Sequence, residues 1–377
     1  MTGRRLWAVS RKEFIHIFRD PRSLGMAIAI PMLLLILFGY ALTLDVDNVP
    51  TVIWDQSDSP ESRALISHFA GSTYLSIQEY ARDYSQVEQA VASGRAICAL
   101  VIPVDFARHV RAHRPAPVQL ILDGSDSNTA TIARGYAEAV VGAYSTNILL
   151  RETHTAAGAA LKTPLDVRPR VWFNPDMESK NYIIPGLIAV IMMVIAALLT
   201  SLTVAREWER GTMEQLISTP VKGHELILGK LLPYFVIGMF DVLLAVLMGE
   251  FIFHVPLRGS LWLLFVMAAL FLTGALSLGI VISVTTKSQL LASQLAMVLT
   301  FLPSFLLSGF MYAITNMPRA IQVITLLIPA RYFVTLLKGI YLKGVGLDVL
   351  WLEAVLLSAF GVVMVILANV KFRKKLE

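Results

Sequence analysis

A single cysteine, Cys98, stands in 377 residues. No internal disulfide framework and no cysteine-based zinc site can form within the chain, and Cys98 is expected to be a small buried apolar residue. Charge is scarce as well. Asp, Glu, Lys and Arg make up 16% of the chain and hydrophobic residues 56%, against about 25% charged in soluble globular proteins. This composition excludes a soluble globular protein and requires a membrane protein. Catalytic signatures are missing too: there is no GxSxG elbow, no HExxH and no CxxC, so nothing points to hydrolase or metal chemistry. Gly223 to Leu231 reads G-x5-G-K-L, similar to a phosphate-binding loop. It has one residue too many and lacks the Ser or Thr that would hold magnesium. ATP, if it powers this chain, is bound by another.

What the sequence does contain is long apolar runs. They lie at Leu24 to Leu44, Tyr182 to Val204, Leu231 to Phe253, Ser260 to Thr285, Leu291 to Tyr312 and Leu347 to Val370. At about 1.5 Å per residue each can cross the roughly 30 Å hydrocarbon layer as a helix. The first follows basic residues as a signal peptide would, but no small-residue cleavage site follows it, and it reads as a retained anchor. Ile321 to Leu342 has the length of a seventh span but holds Pro329, Arg331 and Lys338. Seven spans would put the basic tail Lys371 to Lys375 outside. Six leave it in the cytoplasm with the basic N-terminus, as the positive-inside rule prefers. Ile321 to Leu342 is therefore expected to be a broken, re-entrant hairpin entered from the outer face. Regional charge agrees: residues 45–180 are net −4 and the remainder net +9. The overall +5 is thus a topology signal and implies no nucleic acid.

Residues 45–180 alternate like a mixed α/β domain inserted between the first two spans. Strand-like segments are Pro50 to Asp55, Tyr74 to Tyr80, Ala96 to Pro103, the VQLILDG segment at 118–124 and a final VRPRVWF at 167–173. Helical ones are Glu61 to Phe69, Tyr84 to Gly94, DFARHVRAH at 105–113 and a long helix from about Asn128 to Glu152. The sequence DGSDSN, Asp123 to Asn128, lacks the spacing and distal glutamate of a calcium loop and reads as a turn into a helix cap. His109 and His113, four apart, lack a third ligand nearby and read as part of a solvated basic face with Arg108, Arg111 and Arg114.

Two segments flank the membrane. At the N-terminus, Leu6, Trp7, Phe14, Ile17 and Phe18 fall in a stripe of roughly 120°, with Arg5, Lys12, His16 and Arg19 opposite. This is an interfacial helix on the inner leaflet, serving either as an anchor for the first span or as a lever for force from a cytoplasmic partner. After the second span, in Arg206 to Pro220, acids alternate with Arg206 and Arg210 and Gly211 breaks the helix. Thr212 and Gln215 suggest a capping box for a short new helix, which Pro220 ends. Inside the spans, Asp241 sits near the middle of the third. A buried carboxylate is costly unless paired or hydrated, so it marks either a substrate path or an inter-helix hydrogen bond. Glu250 and Glu353 read as interfacial. Met192, Met193, Phe301, Phe305 and Phe310 either line an adaptable path or simply pack.

The run EWERGTMEQLISTPVKGHELILGKLLPY resembles the cytoplasmic signature of the ABC-2 type permeases, the membrane subunits of type-2 ABC exporters. RDPRSL, IPVDFA, LILDGSDSNTA and SGFMYAITNMPRAIQVITLLIPARYFVTLLKGIYLKG are similar to the same family. Together they cover essentially the whole chain and resemble the bacterial branch with a large periplasmic domain. The resemblance implies an α-helical integral membrane protein with six transmembrane helices and an inserted mixed α/β extracytoplasmic domain. Its parts would be a connecting helix at 1–22, the first span at 23–44, the periplasmic domain at 45–180 and the remaining spans at 181–377. It further implies a coupling helix at about 211–219 and an outer re-entrant hairpin at about 313–343. Arg206, Glu207, Glu209, Arg210, Gly211, Thr212 and Glu214 are the residues expected to contact the ATPase, and Asp241 the one in the substrate path. The implied partners are an ATP-binding-cassette ATPase that holds ATP and magnesium, a second identical or paralogous permease, and the lipid bilayer. A periplasmic membrane-fusion adaptor with an outer-membrane channel would complete the assembly. No cofactor, metal or catalytic residue is expected in this chain. Export of a drug-like or amphiphilic substrate across a bacterial inner membrane, with both termini cytoplasmic, is the function that follows. A membrane sensor, or an envelope-assembly scaffold that uses the α/β domain for binding, is the alternative.

Overall fold

Backbone N–H and C=O groups in hydrocarbon must be satisfied within their own segment, so long apolar runs become helices. The computed structural model describes residues 3–42, 48–112, 114–157, 173–174 and 178–372. Two compact units result, one of Met1–Thr43 with Arg170–Glu377 and one of Leu44–Pro169.

The first unit opens with α1 (Gly3–Arg19) and α2 (Pro21–Ala41). Proline at the start of α2 loses no hydrogen bond there and presets the backbone angle. The second unit runs β1 (Val49–Asp55), α3 (Pro60–Ala70), β2 (Leu75–Tyr80), α4 (Tyr84–Ala92), β3 (Cys98–Ile102), α5 (Phe106–Arg111), β4 (Gln119–Leu122) and α6 (Ser127–Ala157). Its sheet has the order β2-β1-β3-β4, with β1 parallel to β2 and β3, and β4 antiparallel to β3. Alternation along the strands supplies two cores. Val49, Ile53, Cys98, Leu100 and Ile102 pack with Leu65, Phe69, Phe106 and Ala133 on the face of α3, α5 and α6, while Val52 and Ala99 meet Val87 and Ala90 of α4 on the other. Ser59 caps α3 in a reciprocal box with Ser62, and Asp83 caps α4. The Glu61 carboxylate accepts two bonds from Arg111, at 2.6 and 2.9 Å, which ties α3 to α5 and holds that carboxyl below its usual range. Asp123 accepts from the Ser125 N–H at 2.9 Å, as its turn demands. His109 lies 3.4 Å from Asp105. His113 and the strand expected at 167–173, apart from Phe173, lie outside the described residues.

The first unit resumes with α7 (Ser179–Glu209), α8 (Thr212–Ser218), α9 (Gly223–Phe251), α10 (Leu261–Thr286), α11 (Gln289–Leu307), α12 (Arg319–Thr325), α13 (Pro329–Lys338) and α14 (Leu347–Lys371). Helices α7, α9, α10, α11 and α14 are long and apolar enough to cross a membrane, and α2 adds a shorter apolar stretch, Ala27–Ala41. Between α12 and α13 the axis bends by 86°, where Pro329 begins the second piece. Helix α11 stops at Leu307, short of the Tyr312 expected from hydropathy. Gly309 takes φ +80° there, and the Ser308 hydroxyl accepts the Phe310 N–H at 3.2 Å, so the helix cannot continue. The tail at 373–377 lies outside the described residues.

Helix α7 is the axis of this unit. Of its apolar window 89% is buried, against 22% for α11 and α14, and it packs on α2, α9, α10, α11 and α13. Without a hydrophobic driving force between helices in lipid, small residues and inter-helix hydrogen bonds hold such packing. Here Thr200 donates to the Leu276 carbonyl at 2.8 Å, and Gly279 lies so close that a Cβ would overlap Thr200 Oγ1 and the Ala197 carbonyl.

Two outcomes follow. Gly279→Val is expected to destabilise the α7–α10 contact by about 1–3 kcal/mol, read as a lower melting temperature in detergent. An unchanged melt would mean the helices do not meet there. Burial pushes the Cys98 thiol up to about 12, so a maleimide at neutral pH should modify it only after denaturation. Prompt labelling of the folded protein, seen by mass spectrometry, would contradict that burial.

Candidate functional site

Helix α1 uses a second face besides its apolar stripe. Trp7 and Phe18 of the stripe are exposed, whereas Ile17 of the stripe points inward together with Val9, Ser10 and Glu13. The contact is set by Gly229 on α9, where a Cβ would stand 2.8 Å from the Val9 Cβ. The Ser10 hydroxyl donates to the Gly229 carbonyl at 3.0 Å. That close crossing brings the Glu13 carboxylate to Lys230, one residue on, at 3.0 Å. Lys230 also faces the second carboxylate oxygen of Glu207, on the last turns of α7, at 2.9 Å as an ion contact. Lys12 donates to the other Glu207 oxygen at 3.2 Å. The Lys230 side chain is 2% exposed, those of Glu13 and Glu207 9% and 11%. Two cations and two carboxylates thus close a neutral network that joins α1, α7 and α9. Arg5 adds a tie from α1 to the turn after α8, donating to the Pro220 carbonyl at 2.7 Å.

The other residues expected at the coupling surface separate into two groups. Arg206 and Glu209 are engaged within the chain. Glu209 accepts the backbone N–H of Gln289 at 2.7 Å, bonds the Gln289 side-chain amide with its other oxygen, and so caps α11. Arg206 Nε donates to Gln289 Oε1 at 3.3 Å. Lys287 stacks over Trp208, 4.8 Å from the ring centre. Arg210 and Gly211 face outward, and Gly211 has the φ of +68° by which α7 ends and α8 begins. The capping box expected of Thr212 and Gln215 is not formed. Thr212 is already the first residue of α8, the cap position falls on Gly211, and the Thr212 hydroxyl donates back to the Glu207 carbonyl at 3.3 Å. Met213 is buried beneath α8. The side chain of Glu214 lies outside what is described, though its backbone belongs to α8.

Sequence reasoning placed Lys12 only on the polar face of the N-terminal helix and passed over Glu13, Lys230 and Gln289 as site residues. Signals existed for two of these: Glu13 is the one acid in a basic amphipathic helix, and Lys230 is the one cation between Glu225 and Glu250 in an apolar run. The segment that mimics a phosphate loop is the start of α9, and its lysine serves the network.

Asp241 is buried on α9, and its Oδ1 has no hydrogen-bond partner among the described residues. Toward the far end of the same helix, the Tyr341 hydroxyl is likewise unpartnered, close to Gly249. There Gly309 O accepts both the Tyr182 hydroxyl, at 3.1 Å, and Lys338 Nζ, at 3.0 Å, with the lysine also over the Tyr182 ring. Phe301, Phe305 and Phe310 form a continuous aromatic cluster, adjacent ring centres 5.6 Å apart. Met192 and Met193 are buried in the α7 core. Glu250 is exposed and Glu353 half-buried. Among the described residues, no three His, Cys, Asp or Glu side chains stand close enough to share a metal ion.

Residues 21–370 match the family described as ABC-2 family transporter protein. The chain is 40% identical to "Probable multidrug ABC transporter permease YbhS" of Escherichia coli strain K12, over 100% of this chain and 99% of that protein. It is 30% identical to "Probable multidrug ABC transporter permease YbhR" of the same strain, over 92% of each, and 26% identical to its "Inner membrane transport permease YhhJ" over 91% and 92%. Helices of this length and apolarity fit a multi-pass membrane protein, and the family and relatives it matches indicate a transport component rather than an enzyme. The chain belongs to the ABC-2 transporter family and is an ABC permease, a membership that implies an ATPase partner.

Removing one member of a buried ion network leaves the others uncompensated. Lys230→Met, which leaves Glu13 and Glu207 with Lys12 as their one remaining cation in the network, is expected to destabilise the fold by about 3–5 kcal/mol. Adding Glu13→Gln and Glu207→Gln should recover most of the loss in a thermal melt. Equal stability of wild type and Lys230→Met would remove the network from any structural role.

Proposed function

We propose that this permease is the membrane subunit of an ATP-driven exporter that moves a drug-like or amphiphilic molecule outward across a bacterial inner membrane. The observation that carries this reading is the network of Glu13, Lys230, Glu207 and Lys12. It links α1, the end of α7 that leads into α8, and α9, so a push on α8 reaches three helices at once. The relatives' names, two of them with the words "multidrug ABC transporter permease", support the transport class.

In this reading α1 is the connecting helix and α8 the coupling helix, both on the cytoplasmic face with the two termini. Helices α2, α7, α9, α10, α11 and α14 are the six spans. The bent pair α12 and α13 is the outer re-entrant hairpin, and Leu44–Pro169 the periplasmic unit. The thinly covered faces of α11 and α14 suit a second permease, identical or paralogous. The α/β unit would meet a membrane-fusion adaptor leading to an outer-membrane channel. ATP and magnesium stay on the partner ATPase.

The drive works only if the ATPase contacts the permease differently in its two states, because equal affinity would shift nothing. Arg210, Gly211, Thr212 and Glu214 present that contact on and around α8. Glu207 and, through Gln289, Arg206 and Glu209 pass it inward. Asp241, a buried carboxyl whose Oδ1 has no partner among the described residues, belongs to the substrate path.

Two measurements test this. Mild-detergent purification from the native host should bring down an ATP-binding-cassette ATPase at one per permease. In vesicles holding both proteins, Glu209→Lys and Glu214→Lys should lower export per ATP hydrolysed about tenfold, within the usual range of coupling energies. Glu209→Gln, which keeps an acceptor for the Gln289 N–H, should retain more. Full export by well-expressed Lys variants would refute the coupling assignment.

A further inference from the structure

Beside the charge network a cavity of about 290 Å³ opens among α1, α2, α7, α9 and α11. Its walls are mainly aliphatic, with Ile30 from α2, Ile195, Leu198 and Leu202 from α7 and Ile237 from α9, joined by Tyr234 and Ser293. Its rim is polar. His16, Asp20 and Arg206 border the cavity and also a wider basin of about 570 Å³, which Lys12, Arg19 and Arg210 line as well. An apolar slot therefore drains into a cationic vestibule.

The charges in that vestibule are unequally satisfied. Lys12 is paired with Glu207. Arg206 spends only its Nε on Gln289, and Arg19 and Arg210 have no ion-pair partner among the described residues. Asp20 is the one carboxylate on the rim. Three guanidinium groups against one carboxylate leave a net excess of two positive charges, which suits a planar, multiply accepting anion, because their N–H forks match carboxylate and phosphate oxygens in pairs. They would repel a cationic head. The slot lies near the lower end of small-molecule pockets, roughly 300–1,000 Å³, which gives room for one aliphatic tail or a small ring system.

We propose that this cavity binds an anionic amphiphile, a molecule with a phosphate or carboxylate head held by Arg19, Arg206 and Arg210 and a single apolar tail inserted between α2, α7 and α9. The binding argument stands on the geometry. Only the assignment of the vestibule to the cytoplasmic leaflet rests on the reading above.

The test uses the whole permease in nanodiscs of phosphatidylcholine, without the ATPase, so that a failure of coupling cannot mask binding. The probes are lysophosphatidylglycerol and lysophosphatidylcholine with the same nitroxide-labelled chain, and electron paramagnetic resonance reports the immobilised fraction. The anionic probe should show a saturable immobilised component about tenfold or more tighter than the zwitterionic one. Arg19→Gln with Arg210→Gln, both on the exposed rim and clear of the Gln289 bracket, should erase most of the difference. Ile237→Trp, which fills the slot, should remove the saturable component for both probes. Equal binding of the two probes, or anionic selectivity untouched by the double Arg variant, would overturn the proposal. Vesicles that also hold the ATPase then distinguish the source of the ligand: ATP-dependent removal of the bound probe marks a cargo, and its retention marks a resident lipid.

Discussion

Lys230 stands between Glu13 and Glu207 with 2% of its side chain exposed, and much of the first unit is arranged around keeping it so. A buried ammonium group without partners would cost several kcal/mol, and its two carboxylates come from helices far apart in sequence. The Lys230–Glu13 bond alone spans 217 positions. Meeting that electrostatic demand requires α1 to cross α9 at Gly229, where no side chain intervenes. It also requires α7 to run long enough past its apolar section to present Glu207. Such networks contribute little net stability compared with an apolar core of the same volume, but they penalise misplacement heavily. The pairing therefore acts as a register mark for three helices.

The same logic explains why a charged segment lies against the end of an apolar helix. Glu207 looks inward to Lys230 and Lys12, whereas Glu209, two residues on, reaches across to the N-terminus of α11. Residues that look alike in sequence therefore hold different neighbours. Arg210, Gly211 and Thr212 remain around the turn, with the backbone change at Gly211 separating what is held inside from what is offered outside.

Much of the helical architecture was legible in the sequence because length and hydropathy are local quantities. The runs beginning at Tyr182, Leu231, Ser260 and Leu347 correspond to α7, α9, α10 and α14, with ends displaced mainly where a helix continues beyond its apolar part. In the α/β unit the strands at Pro50 to Asp55 and Ala96 to Pro103 were readable from β-branched content and alternation. The end of α11 was not, because it depends on a left-handed residue at Gly309 rather than on loss of hydrophobicity. The Thr212 box failed for a similar reason: its spacing was right, but the cap position moved to Gly211. The network was invisible because Glu13, Glu207 and Lys230 become neighbours only through helix packing, and hydropathy reads each simply as a charge beside an apolar run.

Helix α7 is held at both extremities. Glu207 is clamped by the network at one, and Tyr182 at the other is bound to the Gly309 carbonyl that also receives Lys338 of α13. At about 1.5 Å per residue these fastenings lie roughly 37 Å apart, and the helix between them is the best packed in the unit. Pro185, three residues from Tyr182, is the proline within it and the natural place for it to flex. Mechanically α7 is a beam with its joint near one end. Were Glu207 displaced, the nearest part of the far end to feel it would be the Gly309 carbonyl that Tyr182 shares with Lys338 of α13.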